Sequence, residues 1–126
     1  MRILIIDNLP SRYDEFVRLL DAEKWTWAIT CDPEFIFGFD LWQNVDAILL
    51  DHDMPIWNGV DFAEELAVSI TEEHSPPVII TSCTSVPDAK ETMRRVLESR
   101  TKVTINSADH LGCETEWLLW LKGAVA

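Results

Sequence analysis

Residues 45–59 read VDAILLDHDMPIWNG, an apolar run that ends abruptly in Asp51, His52 and Asp53 and is followed by a proline. Residues 45–50 are mostly apolar rather than alternating, which is typical of a central parallel strand covered on both faces. From residue 58 or 59 onward, apolar side chains recur at helical spacing between acidic ones. The stretch therefore predicts a buried strand, an acidic loop and an amphipathic helix.

The same strand-and-helix pattern recurs on both sides of this stretch. Apolar or β-branched runs predict four more strands, at residues 2–6, 25–30, 78–81 and 102–105. Helical spacing and start signals predict helices that begin near residues 10 and 87, a short one over 33–42 and a last one over 114–124. Because parallel strands need crossover connections, which are nearly always right-handed, this pattern predicts a doubly wound α/β fold with a parallel sheet.

Length and composition predict one compact globular domain over residues 1–126, without an attached output domain. The chain is 48% hydrophobic and 25% charged, and it has no linker-like or low-complexity tract. The three cysteines are far apart and lack C-x-x-C spacing, so neither a disulfide framework nor a zinc site is indicated.

The charge balance excludes nucleic acids as partners, and the hydropathy excludes membranes. With 22 acidic residues against 10 basic ones, the net charge of -12 would repel a nucleic-acid phosphate backbone. No apolar run approaches the roughly 20 residues that a membrane span needs. We therefore expect a soluble, cytoplasmic protein that binds neither nucleic acid nor membranes.

Polar residues follow nearly every predicted strand, and in parallel sheets ligands bind where the carboxyl ends of the strands meet. The strand-end residues are Asp7, Asn8, Asp51, His52, Asp53, Ser82, Cys83, Thr84, Asn106 and Ser107. Carboxylates that converge there repel each other unless a cation lies between them, and Mg²⁺ prefers oxygen ligands of this kind. Asp7 and Asp51 are the candidate magnesium ligands.

Asp51 is also the candidate for covalent chemistry. A carboxylate beside a divalent cation can act as a nucleophile towards phosphorus and form an aspartyl phosphate, and Ser82 could then donate a hydrogen bond to a phosphoryl oxygen. Each residue also has a purely structural interpretation: an aspartate at a strand end can be a turn former, Ser82 a helix-initiating hydroxyl and His52 a packing residue.

Three motifs together resemble the receiver domain of two-component response regulators, over nearly the whole chain. ILIIDN at residues 3–8 resembles that family's first strand with its acidic pair. AILLDHDMPIWNGVDFAEEL at 47–66 resembles the phosphoacceptor segment, and PPVIITS at 76–82 resembles the fourth strand with its switch hydroxyl. The resemblance implies a flavodoxin-like sheet of order 2-1-3-4-5 with helices on both faces.

The resemblance also implies roles for individual residues. Asp51 would be the phosphoacceptor and, with Asp7 and Asn8, a ligand of Mg²⁺; Asp53 would offer the ion its backbone carbonyl; Ser82 would close over the phosphoryl group. A histidine kinase, a phosphotransfer protein or a small phosphodonor would supply that group. The outer face of the fourth and fifth strand-helix units would then report the new charge to a partner.

The chain departs from the family pattern in two places. Asn8 stands where the family has its second acid, and Asn106-Ser107 stands where it has a lysine followed by proline. Both departures favour an alternative, a pseudo-receiver that binds partners without ever carrying phosphate. Asp53 could offset the first departure as a relocated carboxylate ligand.

A second resemblance leaves an enzymatic function open. LDHD at residues 50–53 and TSCTS at 81–85, with Met93 downstream, resemble a divergent receiver group that processes cyclic phosphates. The sequence therefore does not decide between a signalling domain and an enzyme acting on a phosphate ester. Trp117 and Trp120, three apart on the last helix, predict either one core face or an apolar patch for homodimerisation or for a partner.

Overall fold

The computed structural model describes residues 1–8, 10–81, 86–106 and 116–125, without the side chains of residues 10–13, 15, 16 and 116. Its five strands are β1 (Arg2–Ile6), β2 (Thr26–Thr30), β3 (Ala47–Leu50), β4 (Val78–Ile80) and β5 (Val103–Ile105). Its α-helices are α1 (Pro10–Ala22), α2 (Gly59–Ser69), α3 (Ala89–Glu98) and α4 (Glu116–Val125).

The strands form one parallel sheet in the order β2-β1-β3-β4-β5. The doubly wound, five-stranded fold and its strand order are thus as predicted. The order in which successive strands are added to the sheet reverses between β1 and β3. Ligands bind at this point in folds of this kind. The central strands are covered on both faces, which is why their sequences are continuous apolar runs.

Two apolar cores cover the two faces of the sheet. Alternate strand residues, among them Ile6 and Leu50, pack with α2 and α3, and the intervening ones, such as Ile5 and Leu49, pack with α1 and α4. Trp117 is buried in the second core and Trp120 packs partly buried against it, so both indoles form part of the core face of α4. A period of two along each strand thus places two helices on each side.

The connection between β2 and β3 differs from the single helix expected over residues 33–42. It consists of a π-helical turn at Glu34–Gly38 and a 3₁₀ turn at Leu41–Asn44. Between them Asp40 adopts a left-handed conformation with φ 54°, which a right-handed helix cannot contain. Only Ile36 and Trp42 of the two turns are buried, so little apolar area favours one continuous helix.

None of the helices in the described ranges has the length and apolar character to cross a membrane.

Candidate functional site

A row of four polar residues closes the carboxyl edge of the sheet. Asp7, Asp51, Thr81 and Asn106 each come directly after the last residue of β1, β3, β4 and β5. The backbone N–H groups of Asp51, Thr81 and Asn106 each donate to the last carbonyl oxygen of the neighbouring strand, at 2.9 Å. The ladder of the sheet therefore holds these residues side by side in one rank.

Burial of polar side chains is concentrated at this edge. Among the residues whose side chains are described, the buried polar ones are Asp7, Asp51, His52, Thr81 and Asn106. Removing a carboxylate from water is costly unless the protein or a cation compensates the charge. Two carboxylates buried in one rank therefore do not serve stability alone. They indicate a site that binds a charged group.

The oxygen atoms of this edge fit a hard divalent cation. Asp7 and Asp51 supply carboxylates, and both have further polar interactions in the protein. The side-chain oxygen of Asn8 is buried and accepts no hydrogen bond within the described part of the chain. Mg²⁺ is bound by such oxygens together with water, usually through one or two carboxylates. The donor set thus matches magnesium better than a softer metal.

Asp53 is placed differently from the two buried carboxylates. Its side chain is exposed, and the described residues contain no group of three His, Cys, Asp or Glu side chains arranged to hold a metal. Both predicted roles of Asp53, as a relocated carboxylate ligand and through its backbone carbonyl, stay predictions.

Gly59, the first residue of α2, lies against the backbone of the acidic loop. Its N–H donates to the carbonyl oxygen of His52 at 3.0 Å. A Cβ atom at this position would lie 2.3 Å from the carbonyl oxygen of Asp51 and 2.5 Å from Sδ of Met93. Only glycine lets the start of α2 approach the Asp51 backbone this closely, so Gly59 holds the acidic loop against the start of α2.

The acidic loop also ends on a well-formed helix cap. The side chain of Asn58 accepts a hydrogen bond from the N–H of Asp61 at 2.9 Å, and the Asp61 carboxylate accepts one from the N–H of Asn58 at 3.0 Å. This reciprocal capping box satisfies two of the N–H groups that a helix start leaves open. It fixes where the loop stops and α2 begins.

Trp57 attaches the loop to its surroundings through ring contacts. Its ring centroid lies 5.3 Å from that of Phe62 on α2 and 5.8 Å from that of Phe37 on the π-helical turn. Edge-on and tilted arrangements at these distances are favourable for aromatic pairs. Trp57 therefore couples the Asp51 loop to the β2–β3 connection and can report on both.

His52 is buried, as expected for a packing residue, and its Nδ1 has no hydrogen-bond partner within the described residues. Thr81, which the sequence did not single out beside Ser82, is also buried, and its hydroxyl donates to the carbonyl oxygen of Leu50 at 3.4 Å. The predictions for Ser82, Cys83, Thr84 and Ser107 fall outside the described residues.

Comparison with known proteins identifies the fold. No family model and no curated protein matches the sequence. Among solved structures, a CheY-like response regulator receiver domain from Methanospirillum hungatei superposes with a TM-score of 0.72 at 15% identity, covering 98% of this chain and 92% of that one. The receiver domain of a sensor histidine kinase from Pseudomonas aeruginosa gives 0.72 at 16% identity, covering 98% and 96%.

A third structure, the response regulator TrrA of Thermotoga maritima, gives a TM-score of 0.69 at 18% identity, covering 95% of this chain and 97% of that one. That protein is in complex with Mg²⁺-BeF, and the Pseudomonas domain has a magnesium ion coordinated in its active-site cleft. At these identities the likeness establishes the receiver fold over nearly the whole chain. It agrees with the fold that the sequence motifs implied.

Proposed function

We propose that this chain is a receiver domain of phosphorelay signalling, which accepts a phosphoryl group on Asp51 in the presence of Mg²⁺ and thereby changes its binding to a partner. The observation that carries the proposal is the buried rank at the carboxyl edge of the sheet, in which Asp51 stands between Asp7 and Thr81. A phosphoacceptor carboxylate needs this position, because it must be oriented by the sheet and lie beside a cation.

The proposed reaction is a phosphoryl transfer. A carboxylate oxygen of Asp51 attacks the phosphorus atom of a phosphohistidine or a small phosphodonor, and a new P–O bond forms. The bond from phosphorus to the donor breaks, and the donor leaves with the electron pair. An imidazole leaving group takes up a proton from water, whereas acetate leaves as the anion. The product is an acyl phosphate on Asp51, and we propose a kinase, a phosphotransfer protein or a small phosphodonor as the source.

The side chains of Asp7, Asn8 and Asp51 and the backbone carbonyl of Asp53 are the proposed ligands of Mg²⁺. When bound, the ion would neutralise the negative charge of both the carboxylates and the incoming phosphoryl oxygens. Asn8 contributes a neutral oxygen where an aspartate would contribute a charge, so we expect weaker magnesium binding than at a site with three acids.

Asn106 occupies the place in the rank where a receiver domain has its lysine. A buried amide can donate a hydrogen bond to a phosphoryl oxygen but supplies no positive charge, so the phosphorylated state is less stabilised at this end. Ser82 is the proposed hydroxyl that closes over the phosphoryl group.

We propose that the partner binds in the groove of about 900 Å³ between α3 and α4, which Lys102, Leu119 and Trp120 help to line. Leu119 is 67% exposed there and would also serve a homodimer through α4.

The test is phosphorylation by a small donor. Purified protein is incubated with Mg²⁺ and acetyl phosphate and its intact mass is measured over time. We expect a single phosphoryl adduct that requires Mg²⁺ and is absent from Asp51→Asn, while Asp53→Asn, a matched change at an exposed carboxylate, retains it. An adduct that persists in Asp51→Asn, or no adduct in the wild type, would refute the proposal.

A pseudo-receiver is the second candidate, and two site residues favour it. Asn8 removes one charged magnesium ligand, and Asn106 removes the cation that would face a phosphoryl group. Such a module would bind its partner through the same fold with Asp51 unmodified. Magnesium titration followed by tryptophan fluorescence separates the two, since Trp57 lies in the Asp51 loop. If Mg²⁺ changes neither fluorescence nor stability in the wild type and in Asp51→Ala, the pseudo-receiver is the better description.

A further inference from the structure

The charge of this protein is segregated along the chain. Residues 25–89 contain 12 acidic residues and no Lys or Arg, whereas the rest of the chain contains 10 acidic and 10 basic residues. The entire net charge of -12 therefore belongs to the part that forms β2, β3, α2, β4 and their connections. A surface built from this part has no basic side chain of its own to offset its carboxylates.

Of the large apolar side chains that stand exposed on this acidic part, three lie at neighbouring segments, the π-helical turn and the Asp51 loop. Phe35 and Phe39 on and beside the π-helical turn are 55% and 68% exposed, and their ring centroids lie 5.6 Å apart. Ile56 in the Asp51 loop is 70% exposed. We call these three residues the apolar rim. Large exposed apolar groups that neighbour one another mark interaction surfaces more often than isolated ones do.

The two segments that carry the apolar rim are held together. Phe37 lies between Phe35 and Phe39 along the chain, and Trp57 follows Ile56. The ring centroids of Phe37 and Trp57 are 5.8 Å apart, and both rings pack against the core. Trp57 also contacts Phe62 on α2, so both segments pack on the same aromatic cluster. Packing that holds the two segments together lowers the entropic cost of association.

Acidic side chains flank the apolar rim at each segment. Glu34 precedes Phe35, Asp40 follows Phe39, and Asp53 lies three residues before Ile56; all three carboxylates are exposed. This mixture of apolar side chains and negative charge selects its partner. It would repel a second copy of the same surface, a nucleic acid or an anionic membrane, and it would attract a positively charged segment that also carries apolar residues.

From this geometry we propose that the apolar rim, with Glu34, Asp40 and Asp53, is a docking surface for a basic amphipathic helix of a partner protein. Apolar residues on one face of that helix would cover Phe35, Phe39 and Ile56, and its flanking Lys or Arg residues would face the carboxylates. The surface is distinct from the groove between α3 and α4. It does not depend on phosphorylation of Asp51, although it borders the loop that carries this residue.

The test uses a defined probe. A fluorescently labelled, 18-residue peptide of leucine and lysine, patterned as an amphipathic helix, is titrated with the protein, and binding is followed by fluorescence anisotropy. We expect saturable binding to the wild type, and at least tenfold weaker binding by the double variant Phe35→Ser/Phe39→Ser, because exposed aromatic anchors contribute most of the affinity of such surfaces. A matched peptide of leucine and glutamate should not bind.

Matched variants locate the binding. Leu119→Ser removes an equally exposed apolar side chain from α4 and should leave the affinity unchanged. Glu34→Gln/Asp40→Asn should weaken binding several-fold, whereas Asp14→Asn/Glu98→Gln, which removes the same charge from exposed positions on α1 and α3, should weaken it much less. In sedimentation, Phe35→Ser/Phe39→Ser should have the same oligomeric state as the wild type.

Three results would overturn the proposal. The first is equal binding by the wild type and Phe35→Ser/Phe39→Ser, both confirmed as folded by circular dichroism. The second is loss of affinity in Leu119→Ser to the same extent, which would place the peptide on the other groove. The third is a wild-type dimer that Phe35→Ser/Phe39→Ser dissociates, which would make a second copy the occupant. None of these results bears on whether Asp51 accepts phosphate.

Discussion

Asn8 is the uncharged side chain among the proposed ligands of Mg²⁺. Its oxygen is buried and lacks a hydrogen bond among the described residues, and it follows Asp7, whose carboxylate is also buried. Asn8→Asp adds a negative charge at the proposed cation site, so it should lower the Kd for Mg²⁺ by about tenfold, or ~1.4 kcal/mol. Isothermal titration calorimetry measures this directly. Without Mg²⁺ the same variant should unfold at a lower temperature, because three carboxylates then repel one another.

A control for Asn8→Asp exists on the 3₁₀ turn. Asn44 is exposed, so Asn44→Asp makes the same chemical change away from the carboxyl edge and should alter neither magnesium affinity nor its effect on stability. Equal Kd values for the wild type and Asn8→Asp would show that this position takes no part in binding the ion.

Among the residues at the Asp51 loop, Gly59 is the one whose replacement should lower the stability of the protein most. Gly59→Ala places a Cβ atom against the Asp51 backbone and Met93 Sδ, so it should lower the free energy of unfolding by about 1–3 kcal/mol through overpacking. Urea denaturation followed by tryptophan fluorescence measures the loss.

Gly123 on α4 provides the matched case, because nothing lies within 4 Å of a Cβ atom built there. Gly123→Ala replaces a poor helix former by a good one and should leave stability unchanged or raise it by up to about 1 kcal/mol. If both alanine variants behave alike, close packing at Gly59 is not what requires glycine there.

At the scale of elements, the start of α2 sets the end of the acidic loop. Asn58→Ala removes one half of the capping box with Asp61, so it should destabilise the protein by about 1 kcal/mol. Thermal unfolding followed by circular dichroism measures the change. Asn58→Asp keeps an oxygen that can cap the helix and should recover most of the loss. A wild-type melting temperature in Asn58→Ala would mean that the cap contributes nothing to α2.

The strands were predictable because each is a run of apolar, aromatic or β-branched residues bounded by polar or turn residues, and their observed bounds differ from the expected ones by two residues at most. Residues 33–42 were not, because a helical pattern of apolar residues does not reveal that Asp40 takes a left-handed conformation. Such a break results from how the connection fits over the sheet edge, and sequence periodicity carries no information about that fit.

The site was predictable to the extent that it depends on topology. The carboxyl ends of parallel strands share one edge, so Asp7 and Asp51 had to come together once the strands were located. Thr81 was missed as a member of the rank because an apolar run does not show which residue is the last to pair in the strand. Ser82, which follows Thr81 directly, was expected at the strand end instead. The close approach at Gly59 and the exposure of Phe35 and Phe39 are tertiary features, which only the packed structure gives.

At the scale of the whole molecule, the segregated charge should make stability depend on salt. The acidic part formed by residues 25–89 repels itself in the folded state without any internal basic residue to relieve it. Raising the NaCl concentration from about 10 mM to about 0.1 M shortens the Debye length from about 30 Å to about 10 Å. We therefore expect the melting temperature to rise with NaCl, measured in the presence of a chelator so that divalent ions do not contribute.

Two neutralising variants test whether the acidic part is the origin of this salt dependence. Glu64 is exposed on α2 and has Asp61 three residues before it, so Glu64→Gln removes repulsion and should raise the melting temperature at low salt, by an amount equivalent to a few tenths of a kcal/mol. Asp14 on α1 precedes Arg18 by one helical turn, so Asp14→Asn removes an attraction and should leave stability unchanged or lower it. Both differences should shrink at high salt, since they arise from exposed charges. If both variants raise the melting temperature equally, net charge governs the stability and the imbalance between the two parts of the chain does not.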